Sequence, residues 1–100
     1  MVRDTQQGKP AFSLLLPKNV PYNEQMLTRL ALLLERGKQK YGLRNWEKAS
    51  SEEEYERFKD SALRHMMQWM NNESDEDHAA AVMFNIIAAE YTKRKINDAL

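Results

Sequence analysis

Apolar residues recur at helical spacing in three segments of the chain, and each segment predicts an α-helix. The first predicted helix follows Asn23, a residue type that caps helices, and Gly42 is placed to end it. Its apolar positions are Met26, Leu27, Leu30, Leu33 and Leu34.

The second and third predicted helices carry start signals of the same kind. Ser51 and Glu54 form an S-x-x-E capping box, and Ser74 with Asp77 can cap a third helix that runs to about Asn97. The apolar stripe of the second helix consists of Tyr55, Phe58, Ala62, Met66 and Trp69, widened by Leu63, Met67 and Met70.

The third helix is apolar on almost every side, since residues 79–89 read AAAVMFNIIAA with Asn85 as the only polar position. Such a helix needs neighbours all round, and two other helices of a 100-residue chain would hardly cover it. We therefore expect a homodimer or a higher homo-oligomer in which third helices pack together, with the alanines permitting close approach.

The first 22 residues contain all three prolines, around the sequence FSLLL, which favours an extended arm with a possible short strand. The predicted domains are this arm, residues 1–22, and a helical domain, residues 23–100. The predicted fold class is all-α, a small helical bundle of three main helices with an extended N-terminal arm, completed by oligomerisation.

The amino-acid composition reduces the number of possible functions. Fifteen basic and fifteen acidic side chains cancel, so no overall positive field favours duplex nucleic acid or a membrane surface. The chain has no cysteine, its start does not resemble a signal peptide, and its longest apolar run is too short to cross a bilayer. These features predict a cytoplasmic protein.

Both histidines share a face with other polar residues. His65 belongs to a polar stripe on the second helix, and His78 lies seven positions before Asn85 on the third. An antiparallel pairing of the two helices would bring these faces together and line a pocket. The alternatives are a solvated helix edge and a structural hydrogen bond for Asn85. Two histidines without cysteine, in no metal-binding spacing, give only a weak indication of a zinc site.

Basic residues cluster around aromatic residues after the first helix. Lys38, Lys40, Arg44 and Lys48 surround Tyr41, Asn45 and Trp46. Cations that pair with phosphate and rings that stack on a base would suit a nucleotide. The alternative is structural, because lysines favour the C-terminal end of a helix and Trp46 can close the end of the bundle.

Three segments, GKPAFSLLLP, KYGLRNWEKA and ALRHMMQWMNNESDEDHAAAVMFN, resemble in this order the phage and prophage dATP/dGTP diphosphohydrolase family. That family is related to the MazG-like all-α nucleoside triphosphate pyrophosphohydrolases. The resemblance implies a helical oligomer that binds a nucleoside triphosphate and, with Mg²⁺, hydrolyses it to a monophosphate and pyrophosphate. The matching positions are Lys40, Tyr41, Gly42, Arg44, Asn45, Trp46, Asp60, Arg64, His65, Trp69, His78 and Asn85.

One departure from the related enzymes leaves the chemistry open. They hold Mg²⁺ with E-x-x-E on one helix and E-x-x-D on the next, whereas this chain has DSALRH in the first place and His78 and Ala81 in the second. Possible Mg²⁺ ligands are Asp60, Glu73, Asp75, Glu76 and Asp77, of which Asp60 and Asp77 are the predicted ones, and the catalytic residues are not identified. The alternatives are a non-catalytic protein that sequesters a nucleotide, such as a host immune signal, and a purely structural helical module.

Overall fold

The computed structural model describes residues 8–100, in which all regular structure is helical and no strand occurs. The predicted all-α bundle of three main helices is confirmed. The helices are α1 (Met26–Tyr41), α2 (Glu52–Met70) and α3 (His78–Asp98), accompanied by short 3-10 turns at Phe12–Leu15, Tyr22–Glu24 and Asn45–Lys48. The strand considered for FSLLL is wrong, since this stretch forms the first of those turns.

The start of α1 differs from the prediction. Asn23 lies in a 3-10 turn, and Gln25 is extended, with ψ at 139°, so that the helix begins only at Met26. The Gln25 side chain donates hydrogen bonds to the carbonyls of Pro17 (3.1 Å) and Val20 (3.0 Å), which ties the preceding segment to the helix. The predicted end is confirmed, because Gly42 has a φ of 95° and its N–H bonds the Lys38 carbonyl.

The capping box of α2 is confirmed, with the Ser51 hydroxyl accepting the Glu54 N–H at 3.1 Å and Glu54 Oε1 accepting the Ser51 N–H at 3.2 Å. The predicted cap of α3 is wrong by three residues. Asp77 itself is the N-cap and accepts the Ala80 N–H at 3.1 Å. Residues 71–77 therefore all belong to the connection between α2 and α3.

The core lies along the small-residue face of α3, against which α2 packs antiparallel. Ala80 and Ala88 have no exposed surface, and Ala81 is 4 % exposed within the single chain. We expected Ala81 to face a second copy of the chain, but its own chain already covers it. Two of the buried polar residues of this face, Asn85 and Thr92, donate to carbonyls four residues earlier in α3, each at 2.8 Å.

The chain has an open shape. Its radius of gyration is 16.5 Å, compared with about 13 Å for a compact domain of this length. Large apolar side chains stay exposed on every helix, among them Leu32, Leu63, Met67, Met70, Ile86 and Ile87. Oligomerisation remains a prediction that these surfaces support. None of the helices in the described part of the chain is long and apolar enough to cross a membrane.

Candidate functional site

The two histidines meet where α2 and α3 face each other. His65 Nδ1 and His78 Nδ1 are 2.9 Å apart, and their rings are 9 % and 2 % exposed, respectively. The antiparallel packing of α2 on α3 brings them together, because His65 lies one turn before the end of α2 and His78 is the first residue of α3. The structure thus makes the histidines neighbours, as the polar faces of the two helices predicted.

Two carboxylates of the connecting segment approach this histidine pair. Asp75 Oδ1 is 2.7 Å from His78 Nε2, and Glu76 Oε1 is 3.8 Å from His65 Nδ1. The hydrogen bond from His78 lowers the pKa of Asp75. Burial lowers the pKa of His65, and Glu76 only partly opposes this effect. His65 is therefore neutral at pH 7, and its ring can offer a lone pair.

Arg29 is a residue of this region that the sequence did not reveal. Its guanidinium binds both carboxylate oxygens of Asp77, at 2.9 and 2.7 Å, and so fastens α1 to the start of α3. These hydrogen bonds lower the pKa of Asp77. The only sequence signal was a basic residue beside the apolar stripe of α1, which gives no indication of its partner.

Arg64 lines an open groove on the surface of α2. Its guanidinium donates a hydrogen bond to the Ser61 hydroxyl at 3.3 Å. No salt bridge to Arg64 occurs in the range 8–100. The residues that line the groove are Asp60, Leu63, Arg64, Met67, Gln68, Asn71 and Glu73. Trp69 is also exposed, whereas Asn85 is buried in the core.

The remaining predicted residues lie at what we call the basic end, residues 35–48. Lys38 pairs with Glu35 at 3.1 Å, and Arg44 pairs with Glu47 at 2.6 Å. The ammonium group of Lys40 lies 5.1 Å from the centre of the Tyr41 ring, which is itself 62 % exposed. Asn45 is exposed as well.

Trp46 turns inwards from the basic end. Its ring makes edge-to-face contacts with Phe84 at 5.8 Å and with Tyr91 at 5.4 Å. Lys95 of α3 donates a 2.6 Å hydrogen bond to the Glu47 carbonyl and holds the same turn. These contacts favour the structural alternative for Trp46, whereas Tyr41 presents its ring to solvent.

A single chain does not unite the basic end with the histidine pair. Lys95, which holds the turn of the basic end, comes 17 residues after His78 on α3, and this corresponds to about 25 Å along the helix axis. In the single chain, the predicted site residues therefore lie mainly in three places: the buried histidine pair, the groove lined by Arg64, and the basic end.

The predicted Mg²⁺ ligands do not form a carboxylate cluster. Residues 8–100 contain two groups of potential metal ligands. One group consists of His65, Glu76 and His78, and the other consists of Glu73, Asp75 and His78. Neither group includes Asp60 or Asp77. Both Asp77 oxygens are bound by Arg29, and one of them also accepts the Ala80 N–H. Asp60 and Asp77 therefore do not belong to an oxygen-rich ligand set of the kind that Mg²⁺ requires.

Comparison with known proteins gives one family. The family model described as dATP/dGTP diphosphohydrolase, N-terminal, matches residues 2–99. No curated protein matches the chain, and no solved structure does.

Proposed function

The chain belongs to the dATP/dGTP diphosphohydrolase N-terminal family, and on that basis we propose that it binds a purine nucleotide at its basic end. The observation that carries this proposal is the local charge. Residues 35–48 contain five basic and two acidic side chains, whereas the whole chain is neutral. The exposed ring of Tyr41 lies within this positively charged segment, with the ammonium group of Lys40 5.1 Å from its centre.

The chemistry of this surface suits both parts of a nucleotide. The Tyr41 ring offers a face on which a base can stack, and Lys40 beside it can reach a phosphate. Arg44 can pair with two phosphate oxygens in its planar fork. Its present partner is Glu47, and because the Arg44 side chain is 70 % exposed, exchanging that ion pair for a phosphate costs little.

The groove beneath Arg64 suits phosphate less well. It contains one cation, Arg64, and two carboxylates, Asp60 and Glu73, so its local charge opposes a polyphosphate. We assign phosphate recognition to Arg44 and retain Arg64 as the competing position.

The fate of the bound nucleotide separates two candidate functions. The absence of a carboxylate-only cluster in residues 8–100 favours binding without catalysis, that is, sequestration of a nucleotide such as a host immune signal. The family's name instead favours Mg²⁺-dependent hydrolysis to a monophosphate and pyrophosphate, and the matched model describes the N-terminal domain of such enzymes.

Binding is tested with dATP, dGTP, ATP and GTP by calorimetry on the purified chain. Arg44→Ala and Tyr41→Ala should each weaken binding at least about tenfold, equivalent to about 1.4 kcal/mol. Arg64→Ala removes the same chemical group from the other surface and should bind like the parent. If Arg64→Ala loses affinity and Arg44→Ala does not, the groove is the binding site and the assignment to the basic end is wrong.

Catalysis is tested by measuring pyrophosphate release with Mg²⁺ and with EDTA. Sequestration predicts nucleotide binding that survives EDTA, with no pyrophosphate formed over hours. Pyrophosphate release that EDTA abolishes would establish hydrolysis instead.

A further inference from the structure

The proposed function leaves the buried histidine pair without a role. His65 and His78 are the two histidines of the chain, and both rings are almost fully buried with their Nδ1 atoms 2.9 Å apart. A carboxylate oxygen of Glu76 is the third polar atom nearby, and all three ligand atoms lie within 4.8 Å of one another.

The hydrogen bond to Asp75 selects the tautomer of His78. A carboxylate accepts hydrogen bonds, so the 2.7 Å contact places the proton of the His78 ring on Nε2. Nδ1 of His78 then presents a lone pair towards His65. A carboxylate bonded to the outer nitrogen of a histidine is also the arrangement that orients histidine ligands in metal sites.

His65 can supply the second lone pair. Without a metal ion its Nδ1–H donates to His78 Nδ1, and this hydrogen bond accounts for the 2.9 Å separation. When the proton moves to Nε2 of the same ring, both Nδ1 atoms carry a lone pair with no change in net charge, and a small rotation of the rings can direct both lone pairs at one ion.

The distances suit a metal ion. Two nitrogens that each lie about 2.0–2.1 Å from one ion are separated by roughly 2.9–3.4 Å for ligand angles between 90° and the tetrahedral angle. The observed 2.9 Å falls at the lower end of that range. Glu76 Oε1, now 3.8 Å from His65 Nδ1, belongs to a 54 % exposed side chain that can move inwards without disturbing the core.

We propose that His65, His78 and Glu76 bind a divalent transition-metal ion of the Zn²⁺ class, with Asp75 as the residue that positions His78. Imidazole ligands favour such ions over Mg²⁺. The neighbouring candidate Glu73 is less suited to be the carboxylate ligand, because its two oxygens already accept hydrogen bonds from Gln68 and Asn71, each at 3.2 Å. The site joins the end of α2 to the start of α3, where it stabilises the helical hairpin.

The test is a titration of the metal-free chain, without a histidine tag, with Co²⁺ in millimolar Mg²⁺. Bound Co²⁺ should give visible absorption bands that saturate at one ion per chain and that Zn²⁺ removes. Glu76→Gln should weaken binding at least about tenfold, and Asp75→Asn, which loses the outer partner, by about tenfold. Glu73→Gln is the matched control, since it makes the same change on the same segment, and it should bind like the parent.

His65→Gln should abolish the bands, provided that circular dichroism shows an intact fold. If that variant does not fold, the exposed positions Glu76 and Glu73 still decide the outcome, because neither supports the core. An absence of saturable Co²⁺ binding in the parent overturns the proposal. Equal affinity in the parent and in Glu76→Gln also overturns it, because the ion would then be held elsewhere.

Discussion

Asp77 serves two structures at once, as the N-cap of α3 and as the partner of Arg29 in α1. Asp77→Ser retains a capping oxygen but loses the ion pair, whereas Asp77→Ala loses both. We expect Asp77→Ala to be less stable than Asp77→Ser by about 1 kcal/mol, the usual contribution of an N-cap. Urea unfolding measures the difference, and equal stabilities would show that the cap contributes nothing.

The Arg29–Asp77 pair can be measured separately with a double-mutant cycle of Arg29→Met and Asp77→Ser. Because the Arg29 side chain is 36 % exposed, we expect a coupling free energy of no more than about 1 kcal/mol despite the bidentate geometry. The cycle uses the same urea transitions. A coupling near zero would mean that α1 is held to α3 by apolar contacts alone.

The capping box of α2 gives a third prediction at this scale. Ser51→Ala should lower the free energy of unfolding by about 1 kcal/mol, while Ser50→Ala, which only removes a neighbouring exposed hydroxyl, should not. Hydrogen bonds from Ser50 and Ser51 lower the pKa of Glu54. The contribution of Glu54 is therefore present above its unfolded pKa, about 4.3, and is lost as the pH falls through the lower folded value.

Whether the sequence reveals an interacting pair depends on how far apart the two residues lie along the chain. Ser51 and Glu54 are three residues apart, so a fixed local spacing identifies them. Arg29 and Asp77 are 48 residues apart, and no local pattern joins them. His65 and His78 lie between these cases, since a helical hairpin predicts that they face each other but not that their Nδ1 atoms meet.

At the scale of elements, the small residues of α3 set how closely α2 can approach. Ala88 has no exposed surface, so Ala88→Leu should cost about 1–3 kcal/mol by overpacking. Ala31→Leu makes the same change at an exposed position of α1 and should leave stability almost unchanged. The two variants are compared by thermal or urea unfolding. If both lose a similar amount of unfolding free energy, Ala88 does not lie at a tightly packed contact.

Periodicity predicted the number of helices and the end of α1, because apolar spacing and a glycine with positive φ act locally. The predicted starts of α1 and α3 were misplaced by two and three residues, since the observed N-caps are Gln25 and Asp77 and not Asn23 and Ser74. In both cases a contact beyond the helix decides the boundary, namely Gln25 bonding the preceding segment and Arg29 binding Asp77. Such contacts can be identified only from the three-dimensional structure, because they join a helix to other parts of the chain.

For the whole molecule, the exposed apolar side chains predict self-association. Leu63, Met67 and Met70 form a stripe along α2 and are 61 %, 64 % and 70 % exposed. We expect light scattering to show an oligomer at micromolar concentration, and Met67→Glu to shift it towards smaller species. Gln39→Glu adds the same charge at an exposed polar position and should not. A folded monomer in the parent would contradict the expectation.

The candidate site shows why the relative positions of the helices could not be predicted from the sequence. Basic residues and histidines form two separate groups in the structure, and the distance between these groups depends on the relative positions of α1, α2 and α3, which no local pattern in the sequence gives. Trp46 illustrates the limit, because a ring that can stack on a base can equally pack against Phe84 and Tyr91. Only the three-dimensional arrangement shows which of these contacts the ring makes.

The unequal packing of the helices also determines which part of the chain unfolds first. α2 and α3 contact each other along much of their length, whereas α1 joins the assembly mainly through α3. In a single chain, α1 can therefore detach as a unit while the α2–α3 hairpin persists. Its backbone amides should exchange with deuterium sooner than those of α3, and the order in which the amides lose protection would trace the chain's local unfolding.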